Sequence, residues 1–170
     1  MRSLDAPGSR LLDLWARLSP LPGGRWIFHR ALARMVPYTG ALGARVVTLE
    51  PGRAVVELVE RHGVRNHLRS IHAVALANMA ELASGTAMLT ALPAGVRGIV
   101  TRIEIEYLKK ARGTITARSE VSLPLIDGPM ELYPEASLTD ADGDVVARAR
   151  VTWKVQPLGV PAALPAGHTA

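Results

Sequence analysis

Residues 70–95 read SIHAVALANMAELASGTAMLTALPAG. Between Arg69 and Arg97 the only charged side chain is Glu81. Residues 71–92 are rich in Ala, Leu and Met, hold few β-branched residues and stop at Pro93 and Gly95, so the segment predicts one long helix. Apolar residues lie on nearly all its sides, and such a helix must be enclosed. Enclosure explains the composition but not the acid. Taking an unpaired carboxylate out of water costs several kcal/mol, to order of magnitude. Asn78 and Ser84 lie within hydrogen-bonding reach along the helix, yet neither can neutralise Glu81. Burial lifts such a pKa toward the range of a general base. The competing reading pairs Glu81 with an arginine from another element or leaves it at a wet helix edge.

The segment before the helix, VRNHLRSIHA, supplies Asn66, His67, Ser70 and His72. A helix N-terminus offers unsatisfied N–H groups and the positive end of a dipole, which can polarise a carbonyl or hold an oxyanion. Ser70 reads equally well as a plain N-cap, and Asn66 and His72 as loop anchors. A distance then separates the two features. From Ala73 to Glu81 is eight residues, roughly 12 Å along a helix at about 1.5 Å each. One carbonyl cannot meet both groups of the same helix. If both serve one substrate they come from different chains, which two antiparallel helices across a two-fold axis would allow. The expectation is a homodimer with two composite sites.

Around the helix the period changes to two. ARVVTL and RAVVELVE are β-rich runs joined by Glu50-Pro51-Gly52. Downstream, residues 99–108, 114–123, 131–139 and 145–155 read as four strands. DADGD marks a turn before the last of them, in which Ala147, Ala149, Val151 and Trp153 alternate with Arg148, Arg150, Thr152 and Lys154. Half-polar strands indicate an antiparallel sheet with one solvated face. The predicted class is α+β, a curved sheet wrapped around the long helix.

Upstream, residues 10–19 and 25–36 form two basic amphipathic helices, and Pro37 ends the pair. Six arginines against two aspartates lie within residues 1–40, so most of the net charge of +5 sits there. These helices are expected to pack on the domain with their arginines in water, membrane contact being the alternative. The expected division is a helical extension over 1–40, a main domain over 41–156 and a disordered tail over 157–170. No dense basic face with interleaved aromatics appears, which argues against nucleic acid. The chain has no cysteine, and His62, His67 and His72 lack an acid to complete a metal set. No apolar run reaches membrane-span length, and a cytoplasmic protein is expected.

At these residues the sequence resembles the hotdog-fold thioesterases, near the phenylacetate-pathway acyl-CoA thioesterase type. There a motif N-x-x-G-x-x-H-G-G opens the central helix, with an Asp or Glu nine positions after the His. Here Asn66, His72 and Glu81 fall in register. The following strand of that family runs from a Thr through alternating apolar residues to Y-L-x-x-A, and this chain has TRIEIEYLKKARG from Thr101. The lead-in PYTGALGARVVTLEPGRAVVEL and the YLKKARG segment are closer to a poorly characterised branch, a domain of unknown function. The resemblance covers about residues 44–155. It implies hydrolysis of an acyl-CoA or acyl-carrier thioester by a homodimer, with a tetramer as a further assembly and no cofactor beyond the coenzyme A of the substrate. It also implies roles. The Ala73 N–H would polarise the carbonyl, and the second chain's Glu81 would activate water or attack directly. Asn66 would hold the carbonyl or the water, and His72 would shape the helix start. Ser84 or Thr86 would orient water, Thr101 would sit beside the substrate, and Lys109, Lys110 and Arg112 would meet phosphates. The chain departs from the motif at Arg69, where a glycine stands, and at Ala73 and Val74, where two do. Ala73 can still supply its backbone donor, while Val74 crowds the place where ligand and backbone meet and Arg69 would close the mouth, bind a phosphate or pair with a carboxylate, so both are substrate-binding candidates. Val74 and Arg69 favour a second reading, a non-catalytic binder of acyl groups or lipids. Hydration or dehydration of an acyl thioester is a third.

Overall fold

Period-two alternation in the sequence becomes a single antiparallel sheet in space. The computed structural model describes residues 7–159. β1 (Arg45–Glu50) and β2 (Arg53–Val59) form a hairpin through Pro51 and Gly52. Gly52 holds φ +75°, and a Cβ there would lie 2.6 Å from the Val121 carbonyl oxygen, so only glycine fits the corner. The hairpin is followed by the long helix, whose strands in chain order are β3 (Val96–Tyr107), β4 (Thr114–Glu120), β5 (Met130–Leu132), β6 (Glu135–Thr139) and β7 (Val145–Pro157). The sheet order is β1-β2-β4-β6-β7-β3, with β5 also paired to β7. The expected strand over 131–139 is therefore two. Tyr133 and Pro134 interrupt it, and Pro134, which has no N–H to donate, accepts through its carbonyl from the Val151 N–H at 2.9 Å.

Three helices precede the sheet: α1 (Pro7–Leu18), α2 (Gly24–Met35) and α3 (Pro37–Leu42). The third was not expected. Val36 leaves the helical region, and Pro37 then opens a new helix at a position where its missing N–H costs nothing. The expected division at residue 40 falls inside α3. The readings made for residues 1–6 and for the tail beyond 159 lie outside the described residues.

The central helix is α4 (Ala73–Ala91). The sheet encloses only part of it. α1 covers another side so closely that a Cβ on Gly8 would lie 1.8 Å from the Leu89 carbonyl oxygen. Leu11, Trp15, Phe28 and Leu32 share one buried cluster with Leu76 and Met79 of α4 and with Val56 and Ile115 of the sheet. Trp15 and Phe28 meet edge to face, 4.9 Å between centroids. The greasy circumference of α4 thus reflects walls from both the sheet and the N-terminal helices. Among the described residues no helix is long and apolar enough to cross a membrane.

β3 is an edge strand. It pairs with β7 alone, and a bulge between Val100 and Arg102 shifts its register. Before the bulge Ile99 faces outward opposite Lys154. After it Ile103, Ile105 and Tyr107 lie opposite Val151, Ala149 and Ala147, on the side that faces α4. Ile99, Ile103 and Tyr107 are all exposed.

Because the extension is part of the core, Phe28→Ala should destabilise the whole domain by about 3–5 kcal/mol, which for a chain of this size lowers Tm by roughly 2–4 °C per kcal/mol. A thermal scan showing an unchanged Tm would mean that the helices are an appendage.

Candidate active site

The segment leading into α4 is folded on itself. Asn66 Oδ1 accepts from the Leu68 N–H at 2.9 Å, and from the Ser70 N–H and hydroxyl at 3.2 Å each. The Asn66 N–H donates to the Ser70 carbonyl at 2.8 Å. This tight turn puts Arg69 at φ +53°, the left-handed region. A side chain there costs on the order of 1 kcal/mol, which accounts physically for a glycine at this place in the motif the segment resembles. The turn is anchored from outside. Ile71 donates to the Ala111 carbonyl and His72 to the Val64 carbonyl, both at 2.8 Å. Nearby, the Glu60 carboxylate accepts from the Gly113 N–H at 2.5 Å and from Arg65 at 2.6 Å, and those bonds hold its pKa below the ordinary value.

His72, not Ser70, caps α4. Its Nδ1 accepts from the Val74 N–H at 3.1 Å, so that nitrogen carries no proton. Ser70 is buried against Asn66. With the Val74 N–H held by the cap, the N–H of Ala73 has no partner among the described residues and is exposed at the positive end of the helix. The Tyr107 hydroxyl, reaching over from β3, donates to the Ala73 carbonyl at 3.0 Å. Val74 is 53% exposed and stands over the same helix end. A cavity of about 290 Å³ opens there, bounded by Tyr38, Leu42, Arg65, His72, Val74 and Asn78. A larger concavity of about 660 Å³ lies over the sheet, among the arginines and glutamates of its strands, and takes no residue from α4.

Glu81 is half-buried on α4 with no ion pair and no side-chain hydrogen bond among the described residues. Burial alone raises its pKa. Among the described residues no arginine reaches it, and its side chain is half-buried rather than fully in water. Two buried polar atoms nearby in the fold are also unpartnered, Asn78 Oδ1 and Trp153 Nε1. Asn78 spends its Nδ2 on Thr39 of α3 at 3.2 Å.

Other candidate residues sit differently from expectation. The Ser84 hydroxyl donates to the Ala80 carbonyl at 2.8 Å and the Thr86 hydroxyl to the Leu82 carbonyl at 2.6 Å, and both are buried. Their donors serve the helix, so neither has a proton left for a water. Thr101 lies at the β3 bulge, its hydroxyl 3.4 Å from the Thr152 carbonyl. Lys109 is held by Asp140 at 2.8 Å and Asp144 at 2.6 Å, which raises its pKa and satisfies its charge inside the chain. Lys110 and Arg112 are exposed without an ion pair among the described residues. Asn66, His72 and Ala73 are brought together, while Glu81 lies farther along the same unbroken helix. Sequence reasoning missed Tyr107 as part of the site, although the Y-L of the strand and its inward phase marked the place.

The described architecture, an antiparallel sheet around a central helix, is the hotdog fold. Residues 24–155 match DUF4442, a domain of unknown function, and the chain belongs to that family. The match begins at α2, so residues 24–40 of the expected extension lie inside the family's domain and α1 lies before it. Among solved structures, the one named genomics APC5556 is 30% identical with a TM-score of 0.76, covering 89% of this chain and 99% of that one. The PA5026 protein of Pseudomonas aeruginosa, described as a probable thioesterase, is 26% identical with a TM-score of 0.69, over 81% of this chain and 97% of that one. PaaI of E. coli, from the phenylacetic acid degradation operon, shares the fold at 20% identity and a TM-score of 0.62, over 79% and 94%. No curated protein matches the chain.

A carboxyl whose pKa rises on folding is destabilising once ionised. That penalty is absent below the unfolded pKa and grows as pH rises through the folded pKa. Glu81→Gln should therefore raise Tm at pH 7, with the gain vanishing near pH 4. Thermal scans across pH check it, and equal Tm for both proteins at every pH would mean that Glu81 is solvated.

Proposed function

We propose that this protein hydrolyses an acyl-CoA or acyl-carrier thioester at two composite sites of a homodimer. One observation carries the reading: a half-buried Glu81 on the same helix as the Ala73 N–H, both without a partner among the described residues, roughly 12 Å apart along the axis by helical rise. Two α4 helices side by side and antiparallel would bring each N-terminus to the other's carboxylate. The open edge of β3, with Ile99, Ile103 and Tyr107 exposed, supports this pairing, because an exposed apolar edge strand is ordinarily covered. The probable-thioesterase description of the PA5026 protein supports the reaction class.

In the reaction, the Ala73 N–H of one chain polarises the thioester carbonyl. Glu81 of the other takes a proton from water as the water oxygen bonds to the carbonyl carbon. The carbonyl π pair moves onto oxygen and is stabilised by the N–H and the helix dipole. Collapse breaks the C–S bond, and the thiolate leaves with the proton returned by Glu81. Direct attack by Glu81 to give an anhydride is the other route open to an unpaired carboxylate. Asn66 acts through the loop it anchors, and Tyr107 fixes the helix end that carries Ala73. Lys110 and Arg112 remain for the carrier's phosphates.

Val74 favours the second reading, an acyl or lipid binder without catalysis, since its exposed side chain crowds the helix end. A panel of acyl-CoA thioesters separates the two. The parent should release free thiol, and Glu81→Gln should lower kcat by about 10²-fold or more. Binding without thiol release from any chain length would leave only the binder, and a Glu81→Gln protein as fast as the parent would remove the mechanism.

A further inference from the structure

Gly85 follows Glu81 by about one helical turn, in mid-helix, where glycine costs about 1 kcal/mol relative to alanine. Close packing does not require it. A Cβ there would lie 3.5 Å from Glu81 Oε1 and 3.6 Å from Trp153 Cζ2, ordinary contact distances. The helix thus keeps a methyl-sized gap between the carboxylate and the indole. Trp153 is 5% exposed, and its Nε1–H is buried without a partner among the described residues. Cζ2, the atom at the gap, is bonded to the ring carbon that carries Nε1. The opposite edge of the indole is fixed by β3, where a Cβ on Gly98 would come within 2.9 Å of Cε3. A buried, unmade N–H hydrogen bond costs about 1–3 kcal/mol, and a water with a second polar partner is its usual remedy.

We infer that Gly85 and Trp153 form a water site beside Glu81, in which the indole N–H donates to the water and the water donates to the carboxylate. Resting on the hydrolase reading, the inference assigns this water as the nucleophile. One lone pair accepts from the indole, and the other attacks the thioester carbonyl as the proton passes to Glu81. The C–S bond then breaks, and the thiolate takes that proton. Trp153 is a positioning residue, and Gly85 is retained for the space it leaves.

Two variants and a structure test this. Gly85→Ala fills the gap and improves the helix. It should unfold at a higher temperature yet lose about 10–100-fold in kcat, with KM unchanged. Trp153→Phe keeps a ring but removes the donor, and should lose kcat similarly. Because both remove one water, the double variant should be no slower than the slower single. Gly85→Ala at the parent's kcat, or losses that multiply, would overturn the inference while leaving Glu81→Gln free to uphold the hydrolase reading. In parent crystals an ordered water should bridge Trp153 Nε1 and the Glu81 carboxylate and be missing from Gly85→Ala. A dry gap, or an Nε1 bonded to a protein group, overturns the inference whatever the activity. If the parent cleaves no thioester, the hydrolase reading falls and the crystals alone decide whether the water site exists.

Discussion

The structure depends on burying most of α4 while leaving one half-buried acid on it without a partner among the described residues. The hydroxyls along the helix are settled locally. Ser84 and Thr86 return their hydroxyl protons to helix carbonyls. Thr90 bridges to the β1–β2 corner through the Gly52 N–H and the Glu50 carbonyl. The chain also pairs carboxylates elsewhere, as Glu60 does with Gly113 and Arg65, and Asp140 with Lys109. Against that background a half-buried Glu81 with a raised pKa is a maintained cost, and such costs concentrate where a protein acts.

The remaining features arrange themselves around that helix. The 66–72 turn sets the angle at which the chain enters α4, and it accepts a left-handed Arg69 to do so. His72 occupies the Val74 N–H, so one donor, that of Ala73, is left facing outward. β3 carries Tyr107 to the same helix end and presents its unpaired edge to whatever lies beside it. The proposed composite dimer would join these facts in one geometry, because a surface that exposes an edge strand and a helix end together suits a second copy across a two-fold axis.

Much of this was legible in the residues. The long helix, its lone acid and the half-polar strands follow from periodicity and charge, which are properties of a single element. What stayed hidden depends on pairs of elements. α3 was missed because Pro37 was read as a stop, whereas proline also suits a helix start. The 131–139 strand splits because Pro134 faces β7, a neighbour that no local pattern names. Lys109 looked free for phosphate, since DADGD read only as a turn. Its aspartates come back onto the lysine through the β6–β7 hairpin. The N-terminal helices looked separable until Phe28 and Leu11 joined the α4 cluster. The gap at Gly85 is of the same kind, because a glycine's empty space acquires meaning only when Trp153 lines it.

The proposed composite site is tested most directly by mixing two variant chains expected to be inactive. Ala73→Pro removes the N–H at the first helical position, where proline is tolerated, and His72 already has the extended backbone (φ −65°, ψ 140°) that precedes a proline. Glu81→Gln removes the carboxylate. Each homodimer should be inactive, and equal mixing of co-refolded chains should restore thiol release to about a quarter of the parent rate, because half the dimers hold one intact site across the two-fold. No recovery in verified heterodimers would contradict a site shared between chains.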